Sequence, residues 1–451
     1  NPCYQGKMDL WYFFGDLALD LIKKDYGLIG YIAPNNWITN SGASKFRNIV
    51  LNKGKITEFI NFGDFKVFDS AGIQTMIYIM QRSDDNANYN FNFSTVINRR
   101  IKHEDAQLFL ARVSDEKYEY FKANIHQKEN IDKPINFVNA ELTIIINKIR
   151  AKQNFYFDEK EIAQGIVAPQ DFLNKKNQAI LGEDFEVGDG VFNVSQTEYE
   201  TLNLTAKEKK LVKPFYTTRE LHRFYGTSRN RLWVIYTGSS FKNFKEIESY
   251  PNLKVHFDKF QEIITSSNKP YGLHRAREEK FFNGEKILSL RKCTRPTFTF
   301  TDFDCYVSQT YFSIQTERCN QLYLTGLLNS DLLAFWLKYQ GKMQGDLYQV
   351  DKGPLMNLPI VNPLKEIQEK VAYLVSSIIT NTKKSSDYQE LLDKAKTDNN
   401  FDREIQLTKE LEQLTAELGK AESEINTIVF EVYQIQPTEI ATIEKNVLRH
   451  S

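Results

Sequence analysis

The spacing of apolar residues changes three times along this chain, and each spacing predicts a different kind of element. From Asp9 to Lys24, Leu10, Phe13, Phe14, Leu17, Leu21 and Ile22 recur at three- and four-residue intervals, the period of a helix with one buried face. Gly27 stops it. Leu28 to Ala33 then forms a short apolar run ended by Pro34, which predicts a parallel strand buried on both faces. A second helix follows over 43–51, a strand over 56–62, and another strand over 75–80 behind a turn at Val67-Phe68. Strand, helix, strand, strand is half of a doubly wound α/β sheet. Site residues in such sheets sit at the carboxyl ends of the strands, and Pro34-Asn35-Asn36-Trp37 occupies such an end.

The polar run 84–92, rich in Asp and Asn, predicts the close of a first domain at residues 1–92, with 93–161 as a connecting region. Over 162–363 the pattern turns to short alternating apolar runs punctuated by Gly and Pro, among them Gly182, Gly188, Pro214, Gly226, Pro251 and Pro296. That pattern predicts a mixed α+β domain. Beyond Pro363 neither Gly nor Pro occurs until Gly419 and Pro437. Leu364, Ile367, Val371, Leu374 and Ile378 form one stripe; Leu407, Leu411, Leu414, Leu418, Ile425, Ile428 and Val432 form another. Spacings alternating between three and four predict a helical coiled-coil hairpin over 364–451, with its tip in 381–400. Its expected role is a clamp bracing the preceding domain; partner binding or DNA sensing is the alternative.

Charge adds a location rather than a total. The chain has 451 residues, room for about two or three domains, and its 58 Lys+Arg equal its 58 Asp+Glu. Between Ala206 and Arg295, however, 20 Lys/Arg stand against 9 Asp/Glu, a local surplus of 11. Such an excess is the electrostatic footprint of phosphate binding. Arg219, Arg223, Arg229, Arg231, His274, Arg275, Arg277, Arg291 and Lys292 are therefore the candidates for contact with double-stranded DNA. Arg can meet a guanine edge bidentately, whereas Lys mostly meets phosphate. Cys3, Cys293, Cys305 and Cys319 show no C-x-x-C spacing and no nearby histidine, so no metal site is expected. With so few cysteines, no signal peptide and no apolar run of about 18 residues, the expectation is a soluble, cytoplasmic chain.

Short motifs in the first domain fall in a telling order: Asn1-Pro2, then Asp9-Leu10-Trp11-Tyr12-Phe13-Phe14, then Ile32-Ala33-Pro34-Asn35-Asn36-Trp37. The series resembles the adenine-N6 DNA methyltransferases of the TaqI type and the larger fused type IIG restriction–modification enzymes. These carry Asn-Pro-Pro-Tyr/Phe, a D-L-Y/W-x-x-F helix and a strand ending in V/A-P-x-x-W. Gln164-Gly165-Ile166, Leu211-Val212-Lys213-Pro214-Phe215, Trp233-Val234-Ile235-Tyr236, Leu328-Asn329-Ser330 and Leu358-Pro359-Ile360, in that order, resemble the TaqI-like specificity domain. The resemblance implies the C-terminal half of a doubly wound methyltransferase sheet at 1–92 and a target recognition domain at 162–363. It also implies methyl transfer from S-adenosyl-L-methionine to adenine N6 within a specific duplex sequence.

Methylating an amino group inside a duplex requires the base to leave the stack. In the family, the Asn oxygen and the carbonyl after it accept the amino hydrogens, a role that the resemblance assigns to Asn1 and Pro2. An aromatic from a Val-Phe turn lies against the extruded base, here Phe68; Trp37 is expected to pack in the core instead. Two departures stand out. The Gly-rich loop and acidic residue that hold the cofactor are expected upstream of Asn1. Asn1-Pro2-Cys3-Tyr4 also lacks the second proline and the loop before the helix, which implies that a loop separates Pro2 from Cys3 in the natural polypeptide, and Tyr4 is not carried over as the motif tyrosine. Two alternatives stay open: the modification and specificity part of a fused type IIG enzyme, since no convincing P-D…(D/E)-x-K arrangement occurs here, and a non-catalytic DNA specificity subunit.

Overall fold

Trp11, Tyr12, Trp37, Phe46, Phe59 and Tyr78 are the large rings around which the first part of the chain folds. The computed structural model describes residues 2–6, 8–70, 72–97, 101–264, 271–344 and 347–447, without the side chains of Ser239 and Lys242. It divides into two units, Asn1–Ala151 with Lys342–Asp346, and Lys152–Gly341 with Leu347–Ser451.

In unit 1, helix α1 (Trp11–Leu21) precedes strand β1 (Leu28–Pro34), helix α2 (Ser44–Lys53), and strands β2 (Gly54–Asn61), β3 (Thr75–Arg82), β4 (Asn88–Val96) and β5 (Tyr118–His126). The strands form one sheet in the order β1-β3-β2-β4-β5. Strand β3 runs antiparallel to both β1 and β2, β2 pairs parallel with β4, and β4 antiparallel with β5. Trp37 is fully buried, packed on Phe46 with ring centroids 5.4 Å apart, and Tyr12 stacks on Phe46 at 5.1 Å. The expected succession of strand, helix, strand, strand is present.

Three expectations change in unit 1. Strand β1 is antiparallel to its neighbour rather than parallel, and only one of its faces is covered: Ile29 and Ala33 are buried, Leu28 and Ile32 exposed. Helix α1 buries Tyr12, Gly15, Asp16 and Leu19, whereas Leu10, Phe14, Leu17 and Leu21, assigned from periodicity to the core, are exposed. The helix is apolar on both sides, and it docks by the side on which Gly15 leaves room. A Cβ there would stand 2.7 Å from the Phe46 ring. Finally, the polar run 84–92 does not end the domain, because β4 begins inside it and joins β2 and β5 in the same sheet.

Unit 2 contains β6 (Ile162–Gln164), β7 (Asn193–Ser195), β8 (Val212–Tyr216), β9 (Phe224–Tyr225), β10 (Leu232–Ile235), β11 (Lys286–Leu290), β12 (Lys292–Cys293), β13 (Phe298–Thr301), β14 (Tyr306–Val307) and β15 (Tyr311–Ile314). A four-stranded sheet, β14-β8-β10-β7, and a five-stranded sheet, β6-β15-β11-β13-β9, hold most of them. Phe192, Val194, Phe215, Val234, Phe257 and Tyr306 are buried in a shared core. Long helices over Lys365–Thr397 and Phe401–Val432 form a hairpin that turns at residues 398–400. Val371, Leu374 and Ile378 on one, and Leu407, Leu414, Ile425 and Ile428 on the other, are buried as their spacing predicts. Leu364 departs from the stripe: it precedes the helix and is exposed.

Of the described glycines in unit 2, Gly165 leaves the least room for a side chain. A Cβ on it would stand 2.1 Å from the Ser308 carbonyl oxygen and 2.5 Å from that of Val307. Gly165→Ala is expected to force β6 away from the segment around Ser308, at a cost of about 1–3 kcal/mol. At roughly 2–4 °C per kcal/mol, calorimetry should register a clear fall in Tm. An unchanged Tm would mean that the approach is looser than described.

Candidate functional site

Because β3 is antiparallel to both β1 and β2, the carboxyl ends of β1 and β2 meet at one rim of the unit 1 sheet, where Pro34 faces Thr75 and Asn61 faces Met76. The Asn35 backbone N–H donates to the Gln74 carbonyl at 3.1 Å, and its side-chain amide donates to Asn61 Oδ1 at 2.9 Å. The Asn61 amide in turn donates to Thr95 Oγ1 at 3.3 Å. Asn36 Oδ1 is buried with no hydrogen-bond partner among the described residues. The rim is thus a row of amides, one with spare accepting capacity.

The turn after β2 closes this rim. Phe62 is buried and Val67 packs beside it, with Val96, Phe109 and Tyr118 in the same cluster. Phe68, next along, keeps 47% of its surface open. That exposure sets Phe68 apart from the packed rings of this cluster. At the chain start, Asn1 lies outside the described residues, Pro2 is exposed and Cys3 is buried. Gln5 Oε1 accepts from Ser44 Oγ at 2.8 Å and from the Lys45 N–H at 3.2 Å. The segment behind Pro2 is thereby tied to the first turn of α2, which follows the β1 end. Arg47 in that helix donates to the Trp37, Asn40 and Lys133 carbonyls at 2.7, 2.5 and 3.1 Å, which fixes the intervening turn; its burial lowers its pKa to about 10. Tyr4 is exposed.

Unit 2 carries a cleft of about 890 Å³ whose lining includes Lys160, Gln164, Arg277, Lys280, Arg291 and Lys352 beside Glu159, Glu278 and Asp351. Its loop wall is pinned by backbone bonds. The Leu273 N–H donates to Thr237 O at 2.9 Å, Arg275 and Val167 exchange bonds of 3.1 and 3.0 Å, and the Tyr236 hydroxyl donates to Arg277 O at 2.6 Å. Most of the acids are engaged: Arg291 Nε donates to Asp351 Oδ1 at 2.5 Å, and Lys280 pairs with Glu278 at 3.0 Å. Lys352 Nζ donates to the Glu159 carbonyl at 3.1 Å. Arg277 has no carboxylate partner among the described residues. Its Nη2 reaches Gln164 Oε1 at 3.4 Å, and its Nε is buried without a partner. Burial, then the positive charge of Arg275, push its pKa down.

The sequence candidates therefore separate. Arg277 and Arg291 line the cleft, and His274 and Arg275 are exposed on its loop wall. Lys292 is exposed on β12, next to Arg291. Arg219 is exposed, Arg229 is exposed 3.8 Å from Glu390, and Arg231 donates to the buried Glu220 at 2.8 Å. Arg223 is spent on the fold: it pairs with Glu422 of the helical hairpin, donates to the Asn329 carbonyl at 2.6 Å, and lies 4.5 Å from the Phe224 ring centre. Lys160 and Lys352 were not among the sequence candidates. Both lie outside the basic window, and only the fold brings them to the cleft, so no local pattern marks them.

Residues 1–68 match the family described as Eco57I restriction-modification methylase, and residues 213–360 match the TaqI-like C-terminal specificity domain. Two type II methyltransferases of Haemophilus influenzae, M.HindII and M.HincII, are 22% and 24% identical to the chain, covering 83% of it in both cases and 72% and 71% of their own lengths. The type II restriction enzyme and methyltransferase RM.Eco57I of Escherichia coli is 21% identical over 94% of this chain and 44% of its own length. The solved structure of the type IIL restriction-modification enzyme MmeI in complex with DNA shares the fold, with a TM-score of 0.58 and 13% identity over 99% of this chain. This chain spans about half of that enzyme, 53% of its length. In sequence, the chain is a homologue of the type II restriction–modification methyltransferases, with an Eco57I-type methylase segment in front and a TaqI-like specificity domain behind.

Proposed function

We propose that this chain supplies the base-handling and sequence-reading parts of a site-specific DNA methyltransferase that acts on adenine N6 in duplex DNA. The observation that carries the proposal is the open ring of Phe68 in the turn that leaves an amide-lined rim, in the segment that matches the methylase family. An aromatic ring left half in solvent at the carboxyl ends of the strands suits stacking on a base taken out of the duplex. Asn1 and Pro2 accept the amino hydrogens of that base, which leaves the N6 lone pair free to attack. The nitrogen would gain the methyl group as the donor's methyl–sulfur bond breaks to leave a neutral thioether, and would lose one proton.

S-adenosylmethionine, implied by the methyltransferase homologues, supplies the electrophilic methyl group. The described residues of unit 1 fit the base half of such a site better than the donor half. Their open side, formed by Leu10, Phe14, Leu17, Leu21, Leu28 and Ile32, suits packing against further protein rather than a charged sulfonium. The donor-holding residues are accordingly expected upstream of Asn1, on the part of the polypeptide that covers this face. Sequence reading falls to unit 2, where the cation-lined cleft meets the DNA backbone. The fused form, with restriction and methylation in one polypeptide, is the second reading, favoured by the match to RM.Eco57I over 94% of this chain.

Three outcomes test this reading. Asn1→Ala should abolish methyl transfer while leaving specific DNA binding nearly intact; retained methylation would remove Asn1 from the reaction. Binding should weaken steeply with salt: with about six phosphates neutralised, log K against log salt should have a slope near −5. A slope near zero would mean that the basic surplus is not a DNA footprint. Phe68→Ala should slow single-turnover methylation of matched duplex, since stacking is worth roughly 1–3 kcal/mol per base. A mismatch opposite the target, which lowers the extrusion cost, should partly rescue it. Because the ring is exposed, Tm should hardly move. A falling Tm with an unchanged rate would instead make Phe68 a packing residue.

A further inference from the structure

In the unit 2 cleft, Arg277 is held differently from Arg291, Lys280 and Lys352. Arg291 has Asp351, Lys280 has Glu278 and Lys352 has a backbone carbonyl. Among the described residues Arg277 has only the Oε1 of Gln164, at 3.4 Å, and that amide is itself oriented by donating from Nε2 to the Gln309 carbonyl at 3.2 Å. The Arg277 backbone lies at φ +72°, in the left-handed region that L residues other than Gly, Asn and Asp avoid. It is kept there by the Tyr236 hydroxyl on its carbonyl and by the Arg275–Val167 pairing two residues before. A strained, pinned backbone presenting an unneutralised guanidinium into a cleft is what a preorganised ligand contact requires.

The geometry also selects the ligand group. With Nε buried, the side-on edge of the guanidinium is closed, and Nη1 has no partner among the described residues, so the end of the fork meets the cleft. Phosphates are better served by the cations nearer solvent, such as the exposed Lys160, Lys280 and Arg275. A recessed, planar double donor matches the paired acceptors O6 and N7 on the major-groove edge of guanine. We infer that Arg277 reads a guanine in the DNA sequence that this protein recognises, and that Gln164 is a positioning residue that orients its guanidinium. The inference rests on the proposal that the unit 2 cleft binds duplex DNA, and it assigns one specificity contact within that cleft.

Selection from a random-sequence duplex pool by the full polypeptide, followed by sequencing of the retained DNA, tests it. The wild type should select a motif containing a G·C pair at which Arg277→Ala alone loses its preference, the other positions remaining. On the selected site the variant should bind about 5- to 150-fold more weakly, the range that one bidentate pair commands. On a duplex altered at that pair it should bind as well as the wild type. Arg277→Lys keeps the charge but not the fork, so it should restore affinity in part and preference not at all. Lys280→Ala should weaken all duplexes alike and flatten the salt slope by about 1. A melting curve separates these effects from misfolding. An unchanged motif with uniformly weaker binding in Arg277→Ala would make the residue a phosphate contact and overturn the assignment, as would a lost position that is A·T. If the wild type selects no motif at all, DNA recognition by the cleft fails first, and the assignment with it.

Discussion

The cleft of unit 2 depends on one close passage of backbone. Gly165 runs so near the Ser308 carbonyl that no side chain fits between them, and around this point the bonds interlock. The Gly165 N–H donates to Tyr311 O, the Ile166 N–H to Val307 O, and the Gln309 N–H back to Ile166 O, at 2.9, 2.8 and 2.8 Å. From this seam the chain continues to Val167, which pins Arg275, and the seam itself orients Gln164 through Gln309. The cleft wall, its loop and its recessed arginine all follow from that contact.

Unit 1 follows a comparable logic at a different scale. An antiparallel strand between β1 and β2 brings two carboxyl ends to one rim, and buried rings hold the sheet beneath it. Under the proposed function, rigidity at the rim matters because a base taken out of a duplex must be met by groups already in place. The Arg47 clamp on the Trp37 and Asn40 carbonyls meets that need without touching the rim's side chains. The proposed division, with specificity on one unit and chemistry on the other, matches the two family segments, residues 1–68 and 213–360.

How much could be read from the sequence varied with the range of the forces involved. The hairpin helices were legible because their stripes are local and period-bound; so was Trp37, whose position at a strand end leads it into the ring cluster. The buried face of α1 was not. Leu10, Phe14, Leu17 and Leu21 have the period of a core face, yet steric room at Gly15 decides which side docks on Phe46. The reach of the first sheet past residue 92 was hidden by the polar Asn-rich text inside β4, whose amides face solvent while Phe91 and Phe93 face the core. For the site, the basic window located Arg277 and Arg291 but also Arg223, whose charge serves the helical hairpin. Lys160 and Lys352 were invisible, since only the tertiary fold brings them to the cleft. The resemblance, rather than spacing, pointed to Phe68, and its exposure separates it from the core.

Hydrogen–deuterium exchange of the protein with and without duplex DNA tests the central claim, that the cleft of unit 2 is the surface that meets DNA, most directly. The account predicts slowed exchange on DNA binding in segments 159–166, 273–281, 290–293 and 351–353, with the helical hairpin tip at 398–400 unchanged. Protection confined to the hairpin, with the cleft segments exchanging as before, would contradict it.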